Sequence, residues 1–160
     1  MSENGKKPTV VVIDDEDIVV TSIKAFLELD AEFDVHTFTD PAESEKFFES
    51  HQVDVAVSDY RMPQMNGLKL LKHLKETQPE SSRVLLTSHA DANSAIEAIN
   101  QVALFQYLEK PWDSEQLLLA IRSGAERSRL IRDLREKADA LDSAHVVLKD
   151  AQRKLVHAFL

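Results

Sequence analysis

Five short apolar runs, each ending on polar or charged residues, constrain this chain more than any other feature. The run Val53-Asp54-Val55-Ala56-Val57-Ser58-Asp59 is small and β-branched, the pattern of a short buried strand, and it stops on an acid. Pro63 and Gly67 then block an immediate return to regular structure. Thr9-Val10-Val11-Val12-Ile13 is a similar run that ends in Asp14-Asp15-Glu16-Asp17, and residues 33–38, 83–87 and 104–108 complete the set. Helical spacings lie between them. Residues 16–29 carry Ile18, Ile23, Phe26, Leu27 and Leu29, and Asp40-Pro41 opens a helix running through Phe47-Phe48. Leu68, Leu70, Leu71 and Leu74 follow Gly67 until Gln78-Pro79 ends the pattern. Residues 91–102 hold Ile96, Ile99 and Val102, and Asp113-Ser114 can cap a last helix beginning near Glu115. Strands alternating with helices over short connections predict an α/β domain with a parallel sheet and right-handed crossovers.

The 160 residues suffice for one domain with a proper core and something extra. With no Cys, disulfides, thiolate metal sites and cysteine nucleophiles are excluded, a usage that fits a reducing cytosol. The N-terminus, Met1 to Pro8, is polar and carries no signal-peptide pattern, and no apolar run approaches the ~20 residues that cross a bilayer. A cytoplasmic location without membrane contact is the expectation. The net charge of −9 is unevenly placed: 10 Lys/Arg stand against 20 Asp/Glu through Trp112, and 9 against 8 from Asp113 onward. Neither part has the basic excess that phosphate-backbone binding requires, so direct nucleic-acid binding by this chain is not expected.

In a doubly wound parallel sheet the strand ends collect on the carboxyl edge, where such folds place their ligands. That edge gathers Asp14 and Asp15, Asp59, Thr87 and Lys110. Singly, each has a plain structural use as a turn acid, a strand-end hydroxyl or a solvated charge. Together they suit one chemistry. Three close carboxylates repel, and either a proton or a cation must neutralise them. An oxygen-only donor set favours a hard ion, Mg²⁺ before Zn²⁺. With Asp15 and Asp59 holding that ion and Asp14 orienting it, Asp59 keeps an oxygen free to attack a phosphoryl group. Lys110 and the Thr87 hydroxyl can stabilise the phosphoryl oxygens as charge builds on them.

These residues carry a resemblance. Val12-Ile13-Asp14-Asp15-Glu16, Ser58-Asp59-Tyr60-Arg61-Met62-Pro63, Leu86-Thr87-Ser88 and Tyr107-Leu108-Glu109-Lys110-Pro111-Trp112 are similar to the receiver domain of two-component response regulators, over roughly residues 7–127. The resemblance implies a flavodoxin-like five-stranded sheet of order 2-1-3-4-5. It implies Asp59 as the phosphoacceptor, charged by a sensor histidine kinase. Asp14, Asp15, Asp59 and the Arg61 carbonyl would be the Mg²⁺ ligands. Thr87 and Lys110 would contact the phosphoryl group, Thr87 and Tyr107 would form the switch, and a cis peptide would precede Pro111. Ser88 departs from the family's usual Ala or Gly, with a larger side chain near the route of water to the phosphoryl group. Such a domain catalyses its own phosphotransfer and dephosphorylation and is not an enzyme acting on a separate substrate. In many relatives the switch face dimerises through opposite charges, but no Lys or Arg lies between Ala90 and Glu109.

The last stretch is of another kind. Leu134, Leu141, Leu148 and Leu155 recur every seventh residue, with Ile131, Ala138, His145 and Gln152 three positions before each. This is a heptad pattern with strong d positions and mixed a positions. No Pro follows Pro111, so one helix from Asp113 to Leu160 would be roughly 70 Å long. Its Leu stripe, with Ile131, needs a partner, most simply a second copy of the chain. Packing back on the domain, or into a larger helical output region, are the other accommodations. The sequence thus divides into a disordered 1–7, a receiver domain over 8–127 and a coiled-coil extension over 128–160.

Two other readings compete. An aspartate-nucleophile, Mg²⁺-dependent phosphohydrolase would share Asp59 and the ion, but such enzymes usually carry a second acid two residues on, where Arg61 stands. A structural coiled-coil scaffold explains the tail and leaves the five edge residues as coincidence. The six histidines show no metal spacing, and three Gly leave no glycine-rich phosphate loop. The 107–112 segment followed by a long charged helix resembles receivers that precede cyclic-dinucleotide (HD-GYP) phosphodiesterases or histidine kinases. A missing output domain, and hence a fragment, is one expectation; a complete short regulator is the other.

Overall fold

Continuous β-branched runs are stable only where both faces of a strand are covered, and that condition organises this domain. The computed structural model describes residues 5–93, 96 and 101–159. The elements alternate as β1 (Thr9–Ile13), α1 (Asp17–Glu28), β2 (Asp34–Phe38), α2 (Pro41–Ser50), β3 (Val55–Asp59), α3 (Gly67–Thr77), β4 (Ser82–Thr87), a 3₁₀ turn (His89–Asp91), β5 (Gln106–Glu109) and α4 (Ser114–Phe159). All strands are parallel, in the order β2-β1-β3-β4-β5, the doubly wound sheet predicted.

Successive strand residues point to opposite faces, and the core divides accordingly. Val10, Val12, Val55, Val57, Val84 and Leu86 face α1 and the first turns of α4 through Val20, Ile23, Leu27, Leu117 and Ile121. Val11, Ile13, Ala56 and Leu85 face α2 and α3 through Phe48, Leu70, Leu71 and Leu74. Each fully buried aliphatic side chain contributes about 1.5–3 kcal/mol relative to exposure. Gly124 lets α4 come against the sheet: a Cβ there would lie 3.0 Å from the Ser82 Cβ and 3.3 Å from Val55 Cγ2. Its carbonyl instead accepts the Ser82 hydroxyl at 2.7 Å.

Several boundaries and faces differ from expectation. Ile18 on α1 and Leu29 just past its end are exposed at 73% and 77%, and Val20 takes the inward place expected of Ile18. β3 starts at Val55, later than the expected Val53, whose N–H donates to the Gln78 side chain at 2.8 Å. The same Gln78 amide donates to the Phe48 and His51 carbonyls. β5 spans Gln106–Glu109, later than the expected 104–108. Ala103, at φ 51°, turns the chain, its carbonyl accepts from the Arg83 side chain at 3.2 Å, the Phe105 N–H donates to Arg83 O at 2.8 Å, and the register with β4 opens at Val84 opposite Gln106. Half of the helix expected over 91–102 lies outside the described residues; Val102 is buried and Ile96 is half-exposed. Among the described residues no helix is long and apolar enough to cross a membrane.

The chain divides into two compact units, Met1–Ser128 and Arg129–Leu160. In the second, the helix continues to Phe159 and Leu134, Leu141, Leu148 and Leu155 are all exposed, by 58–71%; Ile131 is half-buried.

Candidate functional site

Main-chain hydrogen bonds carry the sheet one residue past its strands and so fix the edge residues. The Asp14 N–H donates to Phe38 O at 3.2 Å, the Tyr60 N–H to Leu86 O at 2.8 Å and the Lys110 N–H to Thr87 O at 2.8 Å. Asp14 and Asp59 therefore stand at the ends of adjacent strands β1 and β3, Thr87 at the end of β4, and Lys110 just beyond β5. The Lys110–Pro111 peptide is cis.

Asp14, Asp15 and Asp59 each offer a carboxylate oxygen within 4.8 Å of the others. Asp14 and Asp59 are buried, and Asp15 is exposed. Lys110 Nζ lies 2.8 Å from Asp59 Oδ1 and 4.0 Å from Asp14 Oδ2. Burial pushes the Asp14 carboxyl up to about 6; the Glu16 N–H, 2.9 Å from Oδ1, pulls it back down, and the Asp59 charge raises it further. Burial works against the Lys110 charge, but the hydrogen bond to Asp59 and the charges of Asp59 and Asp14 outweigh it and hold the ammonium above the ordinary lysine range. One lysine does not satisfy the cluster: Asp14 Oδ2 is buried with no hydrogen-bond partner. An orphaned carboxylate oxygen beside two further acids fits a hard divalent cation such as Mg²⁺.

The Thr87 hydroxyl is buried and donates to the Ser88 carbonyl at 3.3 Å. Tyr107, opposite Leu85 on β5, is half-buried against the core face of α2 and α3. The structure thus brings Asp14, Asp15, Asp59 and Lys110 together and sets Thr87 at the neighbouring strand end. Ile131, Leu134, Leu141, Leu148 and Leu155 belong to the helix α4 and to no part of this cluster.

Three contacts beside the cluster are not visible in the sequence. Gly67 packs directly on the main chain of Asp59 and donates its N–H to Tyr60 O at 2.8 Å. The Arg61 side chain makes a bidentate pair with Asp91, at 2.7 Å and 2.8 Å. Ser88 Oγ donates to the same Asp91 at 3.0 Å, so the departure from Ala or Gly serves that carboxylate. An acid four residues after Thr87 was the available signal, but only the fold shows that it faces Arg61.

A doubly wound sheet with an acid triad and a lysine on its carboxyl edge defines a receiver-type α/β domain. The family described as Response regulator receiver domain matches residues 10–122, and the chain belongs to that family. It is 30% identical over 156 residues to the hydrogenase transcriptional regulatory protein HoxA of Cupriavidus necator, covering 97% of this chain and 32% of that protein. It is 32% identical over 136 residues to the C4-dicarboxylate transport transcriptional regulatory protein DctD of Rhizobium meliloti, covering 83% and 29%. The chain thus spans about a third of the length of these curated relatives. Among solved structures, a response regulator receiver domain protein from Clostridium thermocellum superposes with a TM-score of 0.72 at 32% identity, covering 78% of this chain and 98% of that one. The signal receiver domain of an HD domain-containing protein from Pseudomonas fluorescens gives 0.74 at 29% identity, covering 80% and 93%.

Proposed function

We propose that this chain is a phosphorylation-controlled switch in which Asp59 accepts a phosphoryl group from the phosphohistidine of a sensor kinase, within the cytoplasm. The observation that carries the proposal is the Asp59 carboxylate at 2.8 Å from Lys110 inside an acid cluster that contains the orphaned Asp14 oxygen. Asp14, Asp15, Asp59 and the Arg61 carbonyl are the residues that would hold Mg²⁺, which would offset the repulsion between the acids and the incoming phosphate. A carboxylate oxygen of Asp59 attacks phosphorus, the bond from phosphorus to the donor nitrogen breaks, and the departing imidazole takes up a proton. Lys110 and Thr87 then share the charge of the new acyl phosphate. Thr87 leaves its bond to Ser88 for the phosphoryl oxygens, and Tyr107 moves into the space it vacates. The phosphohydrolase alternative has no feature of the site in its favour. Incubating the chain with acetyl phosphate and Mg²⁺ is expected to add one phosphoryl group to its mass; no gain would overturn the proposal.

The exposed Leu stripe supports a homodimer formed by residues 128–160, through which the signal reaches an output domain or partner. In a parallel, in-register pair Lys137 falls at g and Asp142 at the following e, so opposite charges meet across the copies. The two curated relatives, HoxA and DctD, are named transcriptional regulatory proteins, and one structural neighbour is the receiver domain of an HD domain-containing protein. Both are compatible outputs, reached through the helix and not through nucleic-acid contacts of this chain. Leu141→Lys combined with Leu148→Lys is expected to halve the solution mass in sedimentation. A wild type that is monomeric with and without a phosphoryl mimic would defeat the dimer.

A further inference from the structure

Side chains tie together the loop that follows β3 and the turn that follows β4, the two segments that leave Asp59 and Thr87. Arg61 stands two residues after Asp59 on the β3–α3 loop, and its guanidinium grips both oxygens of Asp91. Asp91 closes the 3₁₀ turn after β4, and its side chain is only 9% exposed. Ser88 holds it twice: the Ser88 hydroxyl donates to Asp91 Oδ2 at 3.0 Å, and the Asp91 N–H donates to Ser88 O at 3.1 Å. That same Ser88 carbonyl accepts the Thr87 hydroxyl. The chain of contacts runs from Arg61 through Asp91 and Ser88 to the hydroxyl that phosphorylation must recruit.

The geometry points to a clamp in which Arg61 and Asp91 are positioning residues that hold Thr87 in its resting orientation and set how readily the site adopts the phosphorylated state. This inference rests on the phosphoacceptor reading of Asp59. The end of β4 is fixed at Leu86 O by Tyr60 and at Thr87 O by Lys110, so the Thr87 side chain and the turn from Ser88 onward are what can move. Turning the Thr87 hydroxyl toward a phosphoryl oxygen breaks its bond to the Ser88 carbonyl, which the Asp91 N–H continues to hold in the resting turn. A bidentate guanidinium–carboxylate pair resists that motion more than a single contact, because its geometry is fixed in two directions. Loosening the clamp removes a preference for the resting state, and a ligand of the phosphorylated state then binds more tightly by that lost preference.

Beryllofluoride with Mg²⁺, titrated calorimetrically into the full chain, is the probe. Arg61→Ala and Asp91→Ala are each expected to tighten its binding by about twofold to fivefold, the scale of an ion pair whose arginine is exposed to solvent. The double variant is expected to match the single ones, because both act through one pair. Exchanging the charges, Arg61→Asp with Asp91→Arg, is expected to return the affinity toward wild type, which loss of packing would not do. Unchanged or weakened binding in the single variants, or additive effects in the double, overturns the clamp while wild-type binding leaves the phosphoacceptor reading standing. Absence of binding by the wild type overturns that reading and the clamp with it.

Discussion

Asp59→Asn is expected to take up no phosphoryl group from acetyl phosphate and Mg²⁺, and Lys110→Ala to take it up about a hundredfold more slowly than wild type, the scale of one lost preorganised donor. The two losses have different causes. Asn presents an amide of nearly the same shape, so the fold stays intact while the attacking carboxylate is gone. Lys110→Ala keeps the nucleophile but removes the cation 2.8 Å from it and 4.0 Å from Asp14, leaving two buried acids facing each other across β1 and β3. That variant also loses the stabilisation of the developing phosphoryl charge. Intact-protein mass spectra over time separate the cases, with circular dichroism confirming that both variants are folded. Phosphorylation of Asp59→Asn at the wild-type rate would move the acceptor elsewhere; an undiminished rate for Lys110→Ala would make its contact with Asp59 incidental.

The edge cluster was legible because its members terminate strands whose own pattern is unambiguous. Thr9–Ile13 and Val55–Asp59 are buried on both faces, so their apolar runs are continuous and the acids that follow are placed by the sheet, not by local preference. Strand ends are harder to read where side chains from distant segments bond the main chain just outside the strand, as Gln78 does at Val53 and Arg83 does at Ala103. Helical periodicity misassigned Ile18 and Leu29, since apolar residues at the start of α1 and just past its end satisfy the pattern yet are exposed. The contacts among Arg61, Ser88 and Asp91 join segments thirty residues apart, and no period or motif in one sequence encodes such a pairing. Glycine is the extreme case: nothing in the letters at position 67 shows what a side chain there would strike.

Gly67→Ala is expected to damage both fold and site, although it adds one methyl group and alters no chemistry. A Cβ at this position would collide with the main-chain carbonyl of Asp59 and sit 2.9 Å from Ser58 Oγ, closer than such atoms are found. The obstacle is backbone at the end of a buried strand, so no rotamer change relieves it. Either α3 retreats from β3, breaking the Gly67 N–H bond to Tyr60 O and loosening Leu70 and Leu71 from the core, or the Asp59 peptide tilts and redirects its carboxylate. Overpacking of this kind costs roughly 1–3 kcal/mol, which lowers the thermal midpoint by several degrees. Phosphoryl uptake is expected to fall by more than the unfolded fraction accounts for, because the nucleophile itself is displaced. Adding Ser58→Ala removes the hydroxyl but leaves the carbonyl, so it is expected to restore little of either property. Full recovery in that double variant would put the collision at the hydroxyl, and a Gly67→Ala chain as stable and as readily phosphorylated as wild type would remove the close approach of α3 to Asp59 from the account of this site.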